Sequence, residues 1–279
     1  MVLLYSDLDW RARKRLKSDI IIDMKIAILG AGAYGTALGD ILTKRGNNVF
    51  YYDPAKNYND FDFAIKDADY IIIALPSDAV GIVSCLPEET PVILASKGFL
   101  DDSLFKSFQD FMVLSGPGFA AEIKADKRTA LTITDERIRE LFGDDHFDYD
   151  KTDDIKGVLM CGSLKNVYAI LAGYYNLKVG TNEHDSFIKD ALDEMQAILF
   201  VNGANPYTVK LYCGEADLRL TCDSPSRNYR FGQRLRLDKN AKPNETVEGF
   251  TALLHIVGGE INVPKNLKHL NKIMEIIWG

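Results

Sequence analysis

Lys25-Ile-Ala-Ile-Leu29-Gly30-Ala-Gly32-Ala-Tyr-Gly35-Thr-Ala-Leu38 decides the fold. A buried-strand run, Lys25–Leu29, passes directly into a GxGxxG turn, and the helical stretch Tyr34–Arg45 follows, closed by Gly46. Gly30 permits a tight turn, Gly32 lets backbone approach a pyrophosphate, and Gly35 lets helix and strand pack closely, while Ala33 and Tyr34 sit between them. The helix N-terminus offers free N–H groups and a favourable dipole to phosphate oxygens. Asn48–Tyr52 makes a second strand that ends at Asp53, 18 residues past Gly35. A carboxylate there can accept the ribose hydroxyls of NAD and repels the additional phosphate of NADP. The competing reading is a glycine-rich turn that holds no ligand.

Short apolar runs continue outward from this turn at Tyr70–Leu75, Pro91–Ala95, Phe111–Leu114 and Ala130–Ile133, with a short helix over Phe61–Asp69. Strands separated by helical segments predict a mostly parallel, doubly wound sheet with helices on both faces. Residues 135–154 carry nine acidic side chains, which predicts a solvated helix and an edge strand. Beyond 155 the spacing is helical: Val158, Cys161, Lys165, Tyr168 and Ala172 share one face, and Phe187 to Leu199 make another stripe. The last helix is expected to begin at Pro264, a favoured first-turn residue, and to bury Leu267, Leu270, Ile273 and Ile277. The expected architecture is α/β: a Rossmann-type sheet domain over residues 24–154, then an all-α domain over 155–279. Met24 directly precedes the first strand, so residues 1–23 are read either as an appended arm outside the fold or as a mis-called start.

The chain has 279 residues with a net charge of −7. That acidity argues against duplex nucleic acid, whose phosphates demand a basic excess, but not against a small phosphorylated ligand. The longest stretch free of charge is 15 residues, 195–209, too short for a membrane span. Cys85, Cys161, Cys213 and Cys222 are scattered, which predicts reduced thiols and a cytoplasmic protein without a metal site.

Two further clusters carry chemistry. Lys165, on the apolar face of a helix, is expensive unless paired or functional. Desolvation lowers a lysine pKa and makes it a credible proton donor to a carbonyl oxygen; a lysine whose stem packs while its amine snorkels outward is the other reading. Asp217-Leu-Arg-Leu-Thr221-Cys-Asp-Ser-Pro-Ser226-Arg227-Asn228 concentrates a carboxylate, hydroxyls and a guanidinium. Arg227 can grip a phosphate bidentately and Asp217 can hold Lys165, against the reading of a polar loop with a surface arginine. Lys97-Gly98 and Ser115-Gly116-Pro117 follow predicted strands, at the strand ends where doubly wound sheets bind their ligands.

Together these motifs resemble the NAD(P)-dependent sn-glycerol-3-phosphate dehydrogenases. The order is that family's: GAGAYGTAL (30–38), PS (76–77), SKG (96–98), SGPGFAAE (115–122), CGSLKNVYAI (161–170), Asn182 ahead of Glu194-Met195, DLRLTC (217–222), SRNYRFG (226–232) and VEG (247–249). The resemblance implies reversible hydride transfer between NADH and dihydroxyacetone phosphate, giving sn-glycerol 3-phosphate for glycerophospholipid synthesis and redox balance. It implies Lys165 as the general acid, supported by Asp217, with Lys97 adding positive charge near the reacting oxygen. Ser226, Arg227 and Asn228 would bind the substrate phosphate, with Asn166, Thr221 and Lys97 completing a polar wall. Gly30, Gly32, Ala33, Tyr34, Gly35, Asp53, Ser77, Lys97, Ala120, Arg227 and Glu248 would line the dinucleotide. No metal is needed, because lysine can polarise the carbonyl while the cofactor carries the hydride; homodimer formation is left open.

The chain departs from the family pattern in several places. Gly118 replaces a hydroxyl residue expected near the cofactor groove, and the segment Pro54–Asp69 is short. The Thr221–Arg227 loop is one residue shorter than the common bacterial form, and Lys189-Asp190 replaces an arginine-glycine pair. Asp53 is atypical and favours NAD over NADP. Two other readings stand beside this one: a dehydrogenase of another small oxo-acid or phosphorylated ketone in the β-hydroxyacid dehydrogenase group, and a non-catalytic NAD(H)-binding protein.

Overall fold

The computed structural model describes residues 23–279 other than 57, 59, 97–105, 107, 119, 224 and 225, with the course of the backbone alone for 77–80. The expected arm therefore lies, but for Asp23, outside the described residues.

Seven strands form one sheet: β1 Lys25–Leu29, β2 Asn48–Tyr52, β3 Tyr70–Ile73, β4 Val92–Leu94, β5 Phe111–Ser115, β6 Thr129–Ile133 and β7 Phe147–Lys151, in the order β2-β1-β3-β4-β5-β6-β7. Neighbours run parallel except β5 and β6, which pair antiparallel through Leu114 with Ile133 and Ser115 with Thr132. The central strands are apolar on both faces because helices cover both sides. Ile26 and Ile28 face one way, into a core with Leu38, Ile41 and Leu42 of α1 (Ala33–Lys44) and Leu141 and Phe142 of α4 (Glu136–Phe142). Short helices α2 (Phe61–Ile65) and α3 (Ala120–Lys124) lie between. The acidic stretch is, as expected, a helix and an edge strand; the charged β7, Phe147-Asp-Tyr-Asp-Lys151, discourages pairing with another chain.

Ala27, Leu29, Ile71, Ile73 and Val113 face the other way, into a core continuous with α5 (Ile155–Tyr175). Asp154 caps that helix: one carboxylate oxygen accepts from the Gly157 N–H at 3.0 Å, and the other from the Thr208 hydroxyl at 2.6 Å. Every residue from Gly157 to Gly173 is buried. The single apolar face read from the sequence is therefore corrected: the sheet lies on one side, and α6 (Asn182–Val201), α8 (Arg227–Leu237), α9 (Glu248–Val257) and α10 (Lys268–Trp278) pack around the rest. By length and apolarity α5 would cross a membrane, yet it is packed inside the fold. Where α8 crosses α5 the backbones nearly touch. A Cβ at Gly232 would stand 1.8 Å from the Ile170 carbonyl, and one at Gly173 1.9 Å from that of Tyr229.

The last helix starts at Lys268, four residues after Pro264, and leaves Ile277 only partly buried. What starts it is a carboxylate from elsewhere. Glu194 on α6, 8% exposed, accepts from the His269 N–H at 2.7 Å and the Leu270 N–H at 3.0 Å, satisfying donors that a helix leaves free. It also accepts the Tyr168 hydroxyl at 3.1 Å, tying α5, α6 and α10 together. Asp190, from the departed Lys189-Asp190 pair, reinforces the joint with Lys268 at 3.3 Å and His269 at 3.2 Å. Glu194→Ala should lower the unfolding free energy by about 2–4 kcal/mol, since three donors lose a buried acceptor. Urea denaturation checks it, and a midpoint equal to that of the parent would sink it.

Candidate active site

The glycine turn is shaped by contacts that leave no room for side chains. Gly30 adopts φ +106°, in the left-handed region. Its N–H donates to the Tyr52 carbonyl at 2.8 Å, and a Cβ there would lie 2.6 Å from the Ala74 carbonyl oxygen. A Cβ at Gly35 would fall 2.0 Å from the Gly30 carbonyl oxygen. Gly32 is different. It opens α1 with no side-chain cap and no acid in the first turn, and a Cβ on it would meet nothing within 4 Å. That open face before free N–H groups fits a pyrophosphate. Gly32→Ala should therefore cost at most about 1 kcal/mol of stability yet weaken dinucleotide binding ~10-fold. Thermal denaturation and NADH fluorescence titration check the two arms; undiminished NADH affinity would remove Gly32 from the site.

Asp53 stands at the tip of β2, as expected. One oxygen accepts the Ala31 N–H at 3.0 Å and the other the Ala55 N–H at 3.1 Å. Its carboxylate thus holds the glycine turn from outside. The Lys56 ammonium donates to the carbonyl oxygen of the same Ala31.

At the other end of the site, Lys165 and Asp217 form an ion pair, each 1% exposed. The choice left open by the sequence falls on the paired, inward lysine: its amine does not reach solvent. α5 carries Lys165, and Gly162 one turn before it lies 3.6 Å, by its Cβ position, from the Ser115 hydroxyl at the end of β5. Asp217 opens α7 (Asp217–Thr221) directly after a π-turn, Tyr212–Ala216. That turn is anchored to the sheet by the Tyr212 N–H to Asp150 at 2.7 Å and the Cys213 N–H to the Thr132 hydroxyl at 2.8 Å. Thr221 donates to the Asp217 carbonyl at 2.6 Å. Burial pushes the Cys222 thiol up, against the pull of the Lys165 charge, so this thiol stays protonated. Burial and the Asp217 carboxylate likewise raise the Tyr34 hydroxyl. Tyr34 belongs to the glycine turn, so the charge of Asp217 is felt at that turn.

A third group lies beside the pair. The Asn166 side chain donates to the Gly162 carbonyl at 3.0 Å and accepts from Asn228 at 2.9 Å, and Asn228 accepts the Gly249 N–H at 3.0 Å. Asn228 thereby locks the start of α8 against α5 and the start of α9, where Glu248 is buried. Ser226 caps α8 through its hydroxyl, which accepts the Tyr229 N–H at 3.5 Å. Arg227 between them is exposed and bonds to no described residue.

The structure thus brings together Tyr34, Lys165, Asn166, Asp217, Thr221, Asn228 and Glu248. Lys97 and the Ser77 side chain lie outside the described residues. Ala120 opens α3 and packs toward the α1 side of the sheet. A Cβ at Gly118 would meet the Thr129 hydroxyl at 3.2 Å and Ile123 at 3.9 Å, so β6 and α3 crowd this position. Lys56 was missed, because a lone lysine after Asp53 carries no periodic or motif signal. Among the described residues no cluster of side chains could hold a metal ion.

Family models describing the NAD-dependent glycerol-3-phosphate dehydrogenase N-terminus and C-terminus match residues 53–140 and 154–275. A glycerol-3-phosphate dehydrogenase [NAD(P)+] of Malacoplasma penetrans is 31% identical over 93% of this chain and 94% of its own length. One of Campylobacter jejuni subsp. doylei is 34% identical over 81% of this chain and 85% of its own. The crystal structure of glycerol-3-phosphate dehydrogenase from Coxiella burnetii superposes with a TM-score of 0.77 at 25% identity, covering 92% of this chain and 95% of that one.

Proposed function

The chain belongs to the NAD-dependent glycerol-3-phosphate dehydrogenase family of oxidoreductases, and from that premise we propose that it catalyses the reversible, NAD-linked reduction of dihydroxyacetone phosphate to sn-glycerol 3-phosphate. The observation that carries the reading is the buried Lys165–Asp217 pair, whose charge is felt at Tyr34 of the glycine turn and which stands beside the Asn166–Asn228 cluster. A bound nicotinamide supplies the hydride. Lys165 gives its proton to the carbonyl oxygen in reduction and takes it back in oxidation, and Asp217 holds the ammonium in place. Arg227 takes the substrate phosphate through paired N–H donors, with Ser226, Asn228, Asn166 and Thr221 as the polar wall and Lys97 as a further cation. The glycine turn, Ala33, Tyr34, Ser77, Ala120 and Glu248 line the dinucleotide.

We assign residues 24–154 to dinucleotide binding and 155–279 to the substrate. Asp53 at the tip of β2 favours NAD over NADP. The free thiols of Cys85, Cys161, Cys213 and Cys222 support a cytoplasmic setting, where the product would feed glycerophospholipid synthesis. The direct test is oxidation of NADH with dihydroxyacetone phosphate. A folded protein that turns over none of it removes the reading.

A further inference from the structure

From these contacts we propose that Lys56 sets how strictly the chain discriminates between the two dinucleotides: its ammonium stands where the adenosine 2′-phosphate would lie and lets that phosphate be accepted despite Asp53. The inference rests on the dinucleotide reading above and deepens it. Both oxygens of Asp53 already accept backbone N–H groups, from Ala31 at 3.0 Å and Ala55 at 3.1 Å. Those donors offset the carboxylate charge that would repel a second anion. Lys56 is anchored to the other side of Ala31, through the carbonyl oxygen. Asp53 and Lys56 thus grip one residue from opposite ends, and that residue lies between Gly30 and Gly32. In folds of this plan the ribose of the adenosine half sits at the tip of the second strand, and a basic side chain nearby accommodates a 2′-phosphate. Lys56 ends the single turn Pro54–Lys56 that follows that tip. Among the described residues it has no ion pair with a carboxylate, and the Ala31 carbonyl takes one of its three N–H donors.

The mechanism is electrostatic. An NADPH molecule brings its 2′-phosphate beside Asp53, and Lys56 compensates the repulsion by a charge-assisted hydrogen bond. NADH gains far less from the same ammonium, since its hydroxyl accepts a hydrogen bond but carries no charge. The intact chain should therefore bind NADPH within about tenfold of NADH, a gap smaller than an acidic β2 tip alone would set.

The test is a fluorescence titration of the full chain and its Lys56→Met and Lys56→Arg variants with NADH and with NADPH, alongside thermal denaturation. Lys56→Met is expected to weaken NADPH about tenfold or more and leave NADH within about threefold, while Lys56→Arg keeps NADPH binding. Equal weakening of both dinucleotides would show a clamp on Ala31 alone and overturn the proposal. So would an intact chain that binds NADH but not NADPH, or a Lys56→Met variant unchanged toward both. Failure of the folded chain to bind either dinucleotide would overturn this inference and the functional reading together.

Discussion

Lys165→Met should lower the rate of dihydroxyacetone phosphate reduction by about 10²–10⁴-fold, the span that a positioned general acid contributes. The same substitution leaves the Asp217 carboxylate buried without its cation, which typically costs about 3–5 kcal/mol of stability. A loss of activity in the single variant therefore has two sources, and a second substitution separates them. Lys165→Met with Asp217→Asn removes the unpaired charge. Much of the stability should return while activity stays absent. Turnover under saturating NADH, read together with urea denaturation, decides between the two. A stable double variant that regained activity would mean the proton comes from elsewhere, and the assignment of Lys165 would fail.

Arg227→Ala is expected to reduce kcat/KM for dihydroxyacetone phosphate ~10²-fold, the worth of one charge-assisted contact to phosphate lost from the transition state and the ground state alike. Arg227 is exposed and bonds to no described residue, so stability should move by less than about 0.5 kcal/mol. Affinity for NADH should fall far less than affinity for the substrate, because the pyrophosphate is assigned to the glycine turn. An unchanged kcat/KM would show that the substrate phosphate is gripped by other groups. It would also reopen the reading in which the chain reduces an unphosphorylated oxo compound.

Much of the fold is legible in particular residues. Lys25–Leu29 followed by three spaced glycines admits one local geometry, because Gly30 needs a positive φ and Gly35 has no space for a side chain. The positions of the remaining strands along the chain follow from apolar runs separated by helical spacing, whereas their order in the sheet does not. Nor does the direction of β6, since a short strand such as Thr129–Ile133 carries its burial pattern but no mark of which way its neighbour runs. α5 misled in another way. The spacing of Val158, Cys161, Lys165, Tyr168 and Ala172 suggests a one-sided helix, yet the surrounding elements bury all of 157–173, and only tertiary packing decides that. The start of α10 was misplaced for a related reason. Pro264 is a local signal, whereas the acceptor that caps the helix, Glu194, lies 75 residues away from His269.

The site was legible in its types and less so in its allegiances. Lys165, Asp217, Thr221 and Asn228 stand out by their chemistry and Asn166 by the family resemblance, and the fold does bring them together. Asp53 was chosen to read a ribose, and the structure adds that it also braces the turn through Ala31. Side-chain bonds to backbone several elements away leave no periodic trace in a sequence, which is why Lys56 passed unnoticed.

α5 has no exposed residue between Gly157 and Gly173, and it carries both Lys165 and Asn166. On the proposed reading core and chemistry share one helix, so the segment assigned the reaction is also the one least able to vary. New substrate preferences in such a chain must arise elsewhere: at the exposed start of α8 around Arg227, where side chains can be exchanged without disturbing the interior. The scaffold is in that sense divided into a fixed reactive axis and an adjustable rim. Laboratory evolution toward other phosphorylated ketones should draw its substitutions from that rim.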